Sequence, residues 1–334
     1  MIQTIYKLFS VWINYFKTVI TINYQENTLD LISNFKKLRL SEDKLQQKDT
    51  GKIGTLFRNN IKPKKGIDLS SFNGIIEIND EYAEVGGSTP IHDVMIETLK
   101  KGKMPPVIPE LRTITVGGAI SGVAIESSSC NYGWFHNNVI EFDILLASGK
   151  IVTCSRDNQY KDLFYGVPNS YGTLGYILKA KLNLVTAKPF VKVEIKKFED
   201  HKLAINYLAN KKSDFNEGVS FQDYTLCICS NMSNTCKTLI INPLEKPFYK
   251  LIQEKNEFYL TIYDYIWRWD SDMFWGTDGL SLLNNSLIRK NIGRSILNSN
   301  FLRAAHMLTS KPDLDHEKII QDIGIPYKDT SNFL

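Results

Sequence analysis

The chain has 334 residues, 43% of them apolar and 23% charged, with a net charge of +4. That length allows about two compact domains, and the composition excludes a disordered or fibrous protein. The charge is uneven: residues 1–66 hold twelve Lys/Arg against five Asp/Glu, and the rest of the chain is net acidic. A uniformly basic nucleic-acid binder would not look like this. Five cysteines without a C-x-x-C pair argue against a zinc or disulfide framework and for a reducing compartment.

Polar residues recur at Gln3, Lys7, Ser10, Asn14, Lys17 and Thr21, one stripe of a helix. The other face carries Ile2, Ile5, Phe9, Trp12, Ile13, Phe16, Val19 and Ile20. The pattern predicts an amphipathic, membrane-associating helix over 1–25, lying in the interface with Trp12 as anchor. Two alternatives stay open: a spanning helix, which would bury Asn14 and both lysines, and a helix packed on the protein's own body. Residues 26–65 are charged and helix-rich, from near Asn27-Thr28 to the basic stretch Lys62-Pro63-Lys64-Lys65.

From Gly74 the texture changes. Gly74 to Ile78 and Tyr82 to Val85 read as strands around an Asn79-Asp80 turn. Pro90 starts a helix carrying Ile91, Val94, Met95 and Leu99, and Gly102 stops it. Pro105, Pro106 and Pro109 keep the next segment extended. Strands are expected at 138–147 and 150–155, paired around Ser148-Gly149, and another at 176–186. Pro189 marks a boundary, followed by a strand at 190–196, a helix from about 199, and β runs at 218–229 and 237–241. The tail from 245 is helix-leaning and aromatic. The expected fold is α+β, with two lobes meeting near 187: one over 26–187 and a second, mixed α/β, over 188–334.

Walker, zincin and nucleophile-elbow motifs are absent. Gly117-Gly118-Ala119-Ile120-Ser121-Gly122 has the wrong glycine spacing for a Rossmann fingerprint. Gly117, Gly118, Gly122, Gly133, Gly149, Gly166, Gly172 and Gly175 cluster all the same. They fit tight turns and close packing, or a diphosphate cradle in which Thr115 and Ser121 add hydroxyls. Cys130 and Cys154 read as core thiols.

The run Pro109-Glu110-Leu111-Arg112-Thr113-Ile114-Thr115-Val116-Gly117-Gly118 resembles the flavin diphosphate segment of the p-cresol methylhydroxylase-type FAD-binding domain, of the vanillyl-alcohol oxidase superfamily. Gly122-Val123-Ala124-Ile125-Glu126-Ser127-Ser128-Ser129 and Tyr132-Gly133-Trp134-Phe135 resemble the delta-24 sterol reductases of the seladin and Dwarf type. So do Asp162 to Pro168 and Gly172-Thr173-Leu174-Gly175, with thinner similarity at Phe215 to Gly218, Phe274-Trp275 and Ile320 to Asp322. The likeness is dense over 75–190 and collinear beyond.

That resemblance implies an FAD site in which Thr115, Val116, Gly117, Gly118, Ala119, Ile120, Ser121, Gly122, Val123, Ala124, Ile125, Glu126 and Ser127 wrap the diphosphate and ribityl chain. Gly172, Thr173, Leu174 and Gly175 would form a second flavin-side turn. With no His near Arg58-Asn59-Asn60 and no Cys in 105–116, the FAD is expected to be non-covalent. The implied reaction takes hydride from NADPH to the flavin and on to a sterol side-chain alkene. An unactivated alkene needs a proton as hydride arrives, and Glu126, Tyr132, His136 and Tyr171 are the candidate donors. Members of the family carry a spanning N-terminus and extend beyond the part matching Ile320 to Asp322. The substrate lobe at 188–334, following an FAD-binding domain at 26–187, is therefore expected to be truncated, and a split enzyme completed by a separately encoded C-terminal fragment stays open. The implied location is the cytoplasmic face of a membrane. The rival readings are a sugar-lactone or alcohol oxidase of the same superfamily and an inactive flavoprotein.

Overall fold

The computed structural model describes residues 19–41, 66–242, 246–270, 285, 287–289, 325 and 329–330. Most of the expected N-terminal helix (1–18), the basic stretch at 62–65 and the resemblances at 274–275 and 320–322 lie outside these residues. Residues 19–22 are extended, not helical: Thr21 forms a parallel bridge with Ile75, and the Ile22 N–H donates to the Ile75 carbonyl at 2.9 Å. Helix α1 (Tyr24–Ser41) follows, with Leu31, Phe35 and Leu38 on one face at spacings of four and three.

Strands β1 (Ile75–Ile78) and β2 (Tyr82–Gly86) form the hairpin the sequence predicts. Asn79 closes it, its Oδ1 accepting the N–H groups of Glu81 and Tyr82 at 2.9 Å. Helix α2 (Ile91–Leu99) buries Ile91, Val94 and Met95 and leads to the short β3 (Lys103–Met104). An irregular but buried segment then reaches α3 (Val116–Ser121) and α4 (Ser129–Tyr132). Next come β4 (Val139–Leu145), β5 (Ile151–Ser155), α5 (Lys161–Gly166), β6 (Tyr176–Asn183) and β7 (Val185–Thr186).

The first sheet has the order β1-β2-β6-β4-β5, antiparallel throughout. Its side chains alternate between two buried faces. Ile144 and Ile177 join the main core, while Leu145 and Leu178 meet Leu31, Phe35, Ile67 and Phe72 beneath α1. The Tyr24 hydroxyl pins α1 by donating to Asp143 at 2.7 Å; burial and that carboxylate raise the phenol above its ordinary range.

The second half supplies β8 (Phe190–Phe198), α6 (His201–Asn210), β9 (Phe215–Ser220) and β10 (Thr225–Ser233). Helix α7 (Phe248–Glu254), β11 (Glu257–Thr261) and α8 (Ile262–Ile266) follow. These strands form an antiparallel sheet of order β11-β8-β10-β9. The single β run expected at 218–229 is two strands, folded back where the Phe221 N–H meets the Tyr224 carbonyl at 2.8 Å. The run at 237–241 contributes only the bridge of Ile240 with Tyr259, and the helix-leaning tail contains β11. Leu226 and Ile228 point into the main core, while Cys227 faces α6, its thiol 3.5 Å from the Ala204 carbonyl.

The chain changes sheet between 183 and 190, where the lobe boundary was expected, yet buried residues of both sheets form one continuous core from Ala83 to Trp269. Cys154 lies in that core, but Cys130 is exposed, contrary to the reading of both as core thiols. Among the described residues no helix is long and apolar enough to cross a membrane.

Candidate functional site

Thr115 caps α3: its backbone is extended and its hydroxyl accepts the Gly118 N–H at 3.2 Å. The N–H of Val116 goes to the Thr89 carbonyl at 2.9 Å, that of Gly117 to Gly87 at 2.8 Å and that of Ala119 to Thr115 at 2.8 Å. The first turn of α3 is therefore spent on the protein itself rather than held open as a set of phosphate donors. Gly117 serves packing, since a Cβ there would stand 3.1 Å from the Gly87 carbonyl oxygen. Gly118 differs. It is exposed, and a Cβ would meet only the Thr115 hydroxyl.

Beyond α3 the backbone turns sharply at Val123, whose φ of 56° is unusual for a β-branched residue. A second strained run contains Asn169 at 63°, Tyr171 at 50° and Gly172 at 82°. The two runs touch, because the Tyr171 N–H donates to the Ser121 carbonyl at 3.1 Å. Strain of this kind costs on the order of 1–3 kcal/mol per residue and collects at ligand-binding turns. Around this junction Ile125, Tyr171 and Leu174 are 39%, 44% and 42% exposed. A cleft of about 370 Å³ runs alongside, between Phe35 and Arg39 of α1 and the turn Gly172–Tyr176.

The four candidate acids do not share one place. Glu126 is buried, and its Oε1 accepts from the Ser127 hydroxyl at 2.6 Å and from Arg268 Nη2 at 2.7 Å. That makes it an anchor, not a free acid. Tyr132 ends α4 and packs against the core; burial, then Asp214, raise its phenol. His136 stacks edge-on against Trp134, and burial, helped by Arg156, lowers its imidazole below the ordinary 6.5, so it is neutral at pH 7. Tyr171 alone stands at the junction of the two turns.

The buried charges came from residues that the sequence patterns did not single out. Arg268 is fully buried and holds Glu126 and also Glu217 Oε2, the latter at 2.9 Å, while Trp269 Nε1 donates to Glu217 Oε1 at 2.7 Å. Burial pushes the Glu217 carboxyl above its ordinary value against the pull of Arg268, with Glu126 adding to the rise. Arg112 pairs with Asp270 at 2.9 Å and lies over the rings of Trp267 and Tyr263. Their sequence signals were thin: Arg112 lies in the run 109–118, Glu217 in the weaker similarity at 215–218 and Arg268 between two tryptophans, while Asp270 carried none.

Residues 58–155 match the family model described as an FAD binding domain. The chain is 34% identical over 179 residues to the Delta(24)-sterol reductase of Pisum sativum, covering 52% of this chain and 32% of that protein. It is 28% identical over 240 residues to the Delta(24)-sterol reductase of Homo sapiens, covering 67% and 46%. Cytokinin dehydrogenase 7 of Oryza sativa subsp. japonica is 36% identical over 106 residues, covering 32% and 20%. The chain thus spans less than half the length of these relatives. Residues 58–155 thus match an FAD binding domain, and the chain is similar to the Delta(24)-sterol reductases over part of their length.

Proposed function

We propose that the chain is an FAD-dependent oxidoreductase that reduces the C24=C25 double bond of a sterol side chain with NADPH as electron donor. The observation that carries this reading is the joining of two strained turns, Ser121–Val123 and Tyr171–Gly172, beside a matched FAD binding domain. The residues fit FAD through open backbone rather than through the start of α3: Gly118, Ile125 and the Gly172 turn leave space for a ligand. The hydroxyl of Ser121 donates to the Gly117 carbonyl at 2.8 Å, and that of Thr115 is the α3 cap. Holding the cofactor therefore falls to main chain and apolar contact, with no covalent link. When bound, FAD supplies the hydride-transfer chemistry.

The chain's own residues supply orientation and a proton. Ile125, Tyr171 and Leu174 exclude water from the junction. The Tyr171 hydroxyl is the donor we assign to the alkene carbon that does not receive hydride. Residues 1–18, ahead of the segment that pairs with β1, are assigned to a membrane surface, on its cytoplasmic face, where a sterol is dissolved. The test is the visible spectrum of the purified protein, then acid release of flavin, then sterol-dependent NADPH oxidation. Yellow protein releasing intact FAD, with oxidation that needs sterol, supports the reading; colourless, folded protein that cannot be loaded with FAD ends it. The match to a cytokinin dehydrogenase favours one second reading, a flavin enzyme oxidising another substrate. Sterol-independent peroxide production would single it out.

A further inference from the structure

The segment Tyr263–Asp270 belongs to the second half of the chain, yet its strongest polar contacts are with the ends of the expected flavin-binding segment. Asp270 takes Arg112 at the entrance, through Arg112 Nε at 2.9 Å and the Arg112 backbone N–H at 3.3 Å. Arg268, two residues earlier, takes Glu126 and the Ser127 hydroxyl at the exit, at 2.7 and 3.3 Å. Between these two grips lies the stretch 113–125, with α3 and the strained Val123. The grips are braced in turn. The Tyr263 hydroxyl accepts from Arg112 Nη1 and shares a hydrogen bond with His92 Nε2, both at 3.2 Å, while Glu217 on β9 accepts from the same Arg268 Nη2 that Glu126 takes, and the Tyr265 ring lies 4.4 Å from the guanidinium. The Asn216 N–H adds a bond to the Ser127 carbonyl at 3.0 Å.

We propose that Arg268 and Asp270 are positioning residues that fix the two ends of segment 113–127, so that the second sheet sets the shape of the flavin site. The proposal deepens the functional reading above and rests on it for the identity of the ligand. Two oppositely directed pairs, both buried, leave the intervening turns little freedom to slide along the first sheet. Salt bridges of this geometry constrain register more than they add stability.

The experiment is amide hydrogen exchange on the full chain, with and without FAD, for Asp270→Asn, Glu126→Gln and Arg268→Lys. Val193→Ala, a core change in β8, serves as the control for general destabilisation. The expected result is a rise of at least tenfold in exchange across 113–127 in the three clamp variants, beyond that of Val193→Ala. FAD binding, read by flavin fluorescence, weakens at least tenfold in the same variants. Exchange across 113–127 that matches the control overturns the proposal. If the unaltered chain takes up no FAD, the functional reading fails, and the exchange pattern still decides whether the clamp exists. Arg268→Lys, which keeps the charge, guards against a variant that does not fold.

Discussion

On the first sheet's side the site is made of backbone: strained φ angles, exposed Gly118 and a carbonyl of Ser121 bonded to the N–H of Tyr171. On the second sheet's side it is made of buried charge: Arg268 between Glu126 and Glu217, and Arg112 on Asp270. Backbone turns tolerate change in side chains that face solvent, whereas a buried ion tolerates almost none. The part we assign to the ligand is thus held by a part whose sequence signals are thin.

The largest effect should come from the charged side. Arg268→Ala leaves two buried carboxylates without their cation and should cost about 3–5 kcal/mol, read as a lower urea midpoint. Removing Lys181, which pairs with Glu141 at 2.9 Å near the surface, should cost about 1 kcal/mol or less. Equal losses would erase the distinction between the two kinds of charge.

The glycines sharpen the backbone half. Gly175→Ala places a Cβ 2.5 Å from the Leu145 carbonyl oxygen at a φ of 147°, and should cost on the order of 1–3 kcal/mol. Gly118→Ala should leave the melting temperature nearly unchanged, since Ala gains about 1 kcal/mol of helix propensity against crowding of the cap. Its effect should appear as at least tenfold weaker FAD binding in a fluorescence titration. A Gly118→Ala protein that binds FAD normally would move the ligand away from α3.

Smaller is the pH dependence centred on Glu217. Its carboxyl is raised on folding above the ordinary 4.5, chiefly by burial. Between that value and the native one, the folded protein holds more protons than the unfolded chain, so stability falls as pH climbs through the window. Glu217→Gln keeps the shape without the titration and should flatten that slope in urea melts run from acid to neutral pH. Smallest of all is a labelling contrast. Exposed Cys130 should react with a thiol reagent at pH 8 in the native protein, while Cys154, pushed up to about 11, and Cys227, pushed up to about 12, wait for unfolding.

The first sheet was largely legible because its signals are local. The Asn79-Asp80 turn, the Pro90 helix start and the Ser148-Gly149 hairpin each state their geometry within a few residues. The glycine string marked a tight turn with close packing, but neighbour sequence does not reveal that the Gly117 N–H goes to Gly87, thirty residues away. The same limit hid Arg268. A side chain 142 residues from its partner leaves no periodicity, and Glu126 therefore looked like an acid rather than an anchor. Periodicity also ran on too far at the start, where Ile20 and Thr21 continue a helical pattern but pair with β1 instead.

That last pairing has a consequence for association. The outer strand β1 would present a row of N–H and carbonyl groups to any passing chain, which is how sheets recruit one another into aggregates. Ile22 donates to the Ile75 carbonyl and the Ile75 N–H donates to Ile20, each at 2.9 Å, so the start of that row is already taken. On the other sheet, the Ile241 N–H does the same for β11 at Tyr259. Each stitch adds only about 1 kcal/mol per bond to the fold. Its larger effect is that the protein's own chain holds one point on each of these two edges, where a second copy would otherwise begin to add strands.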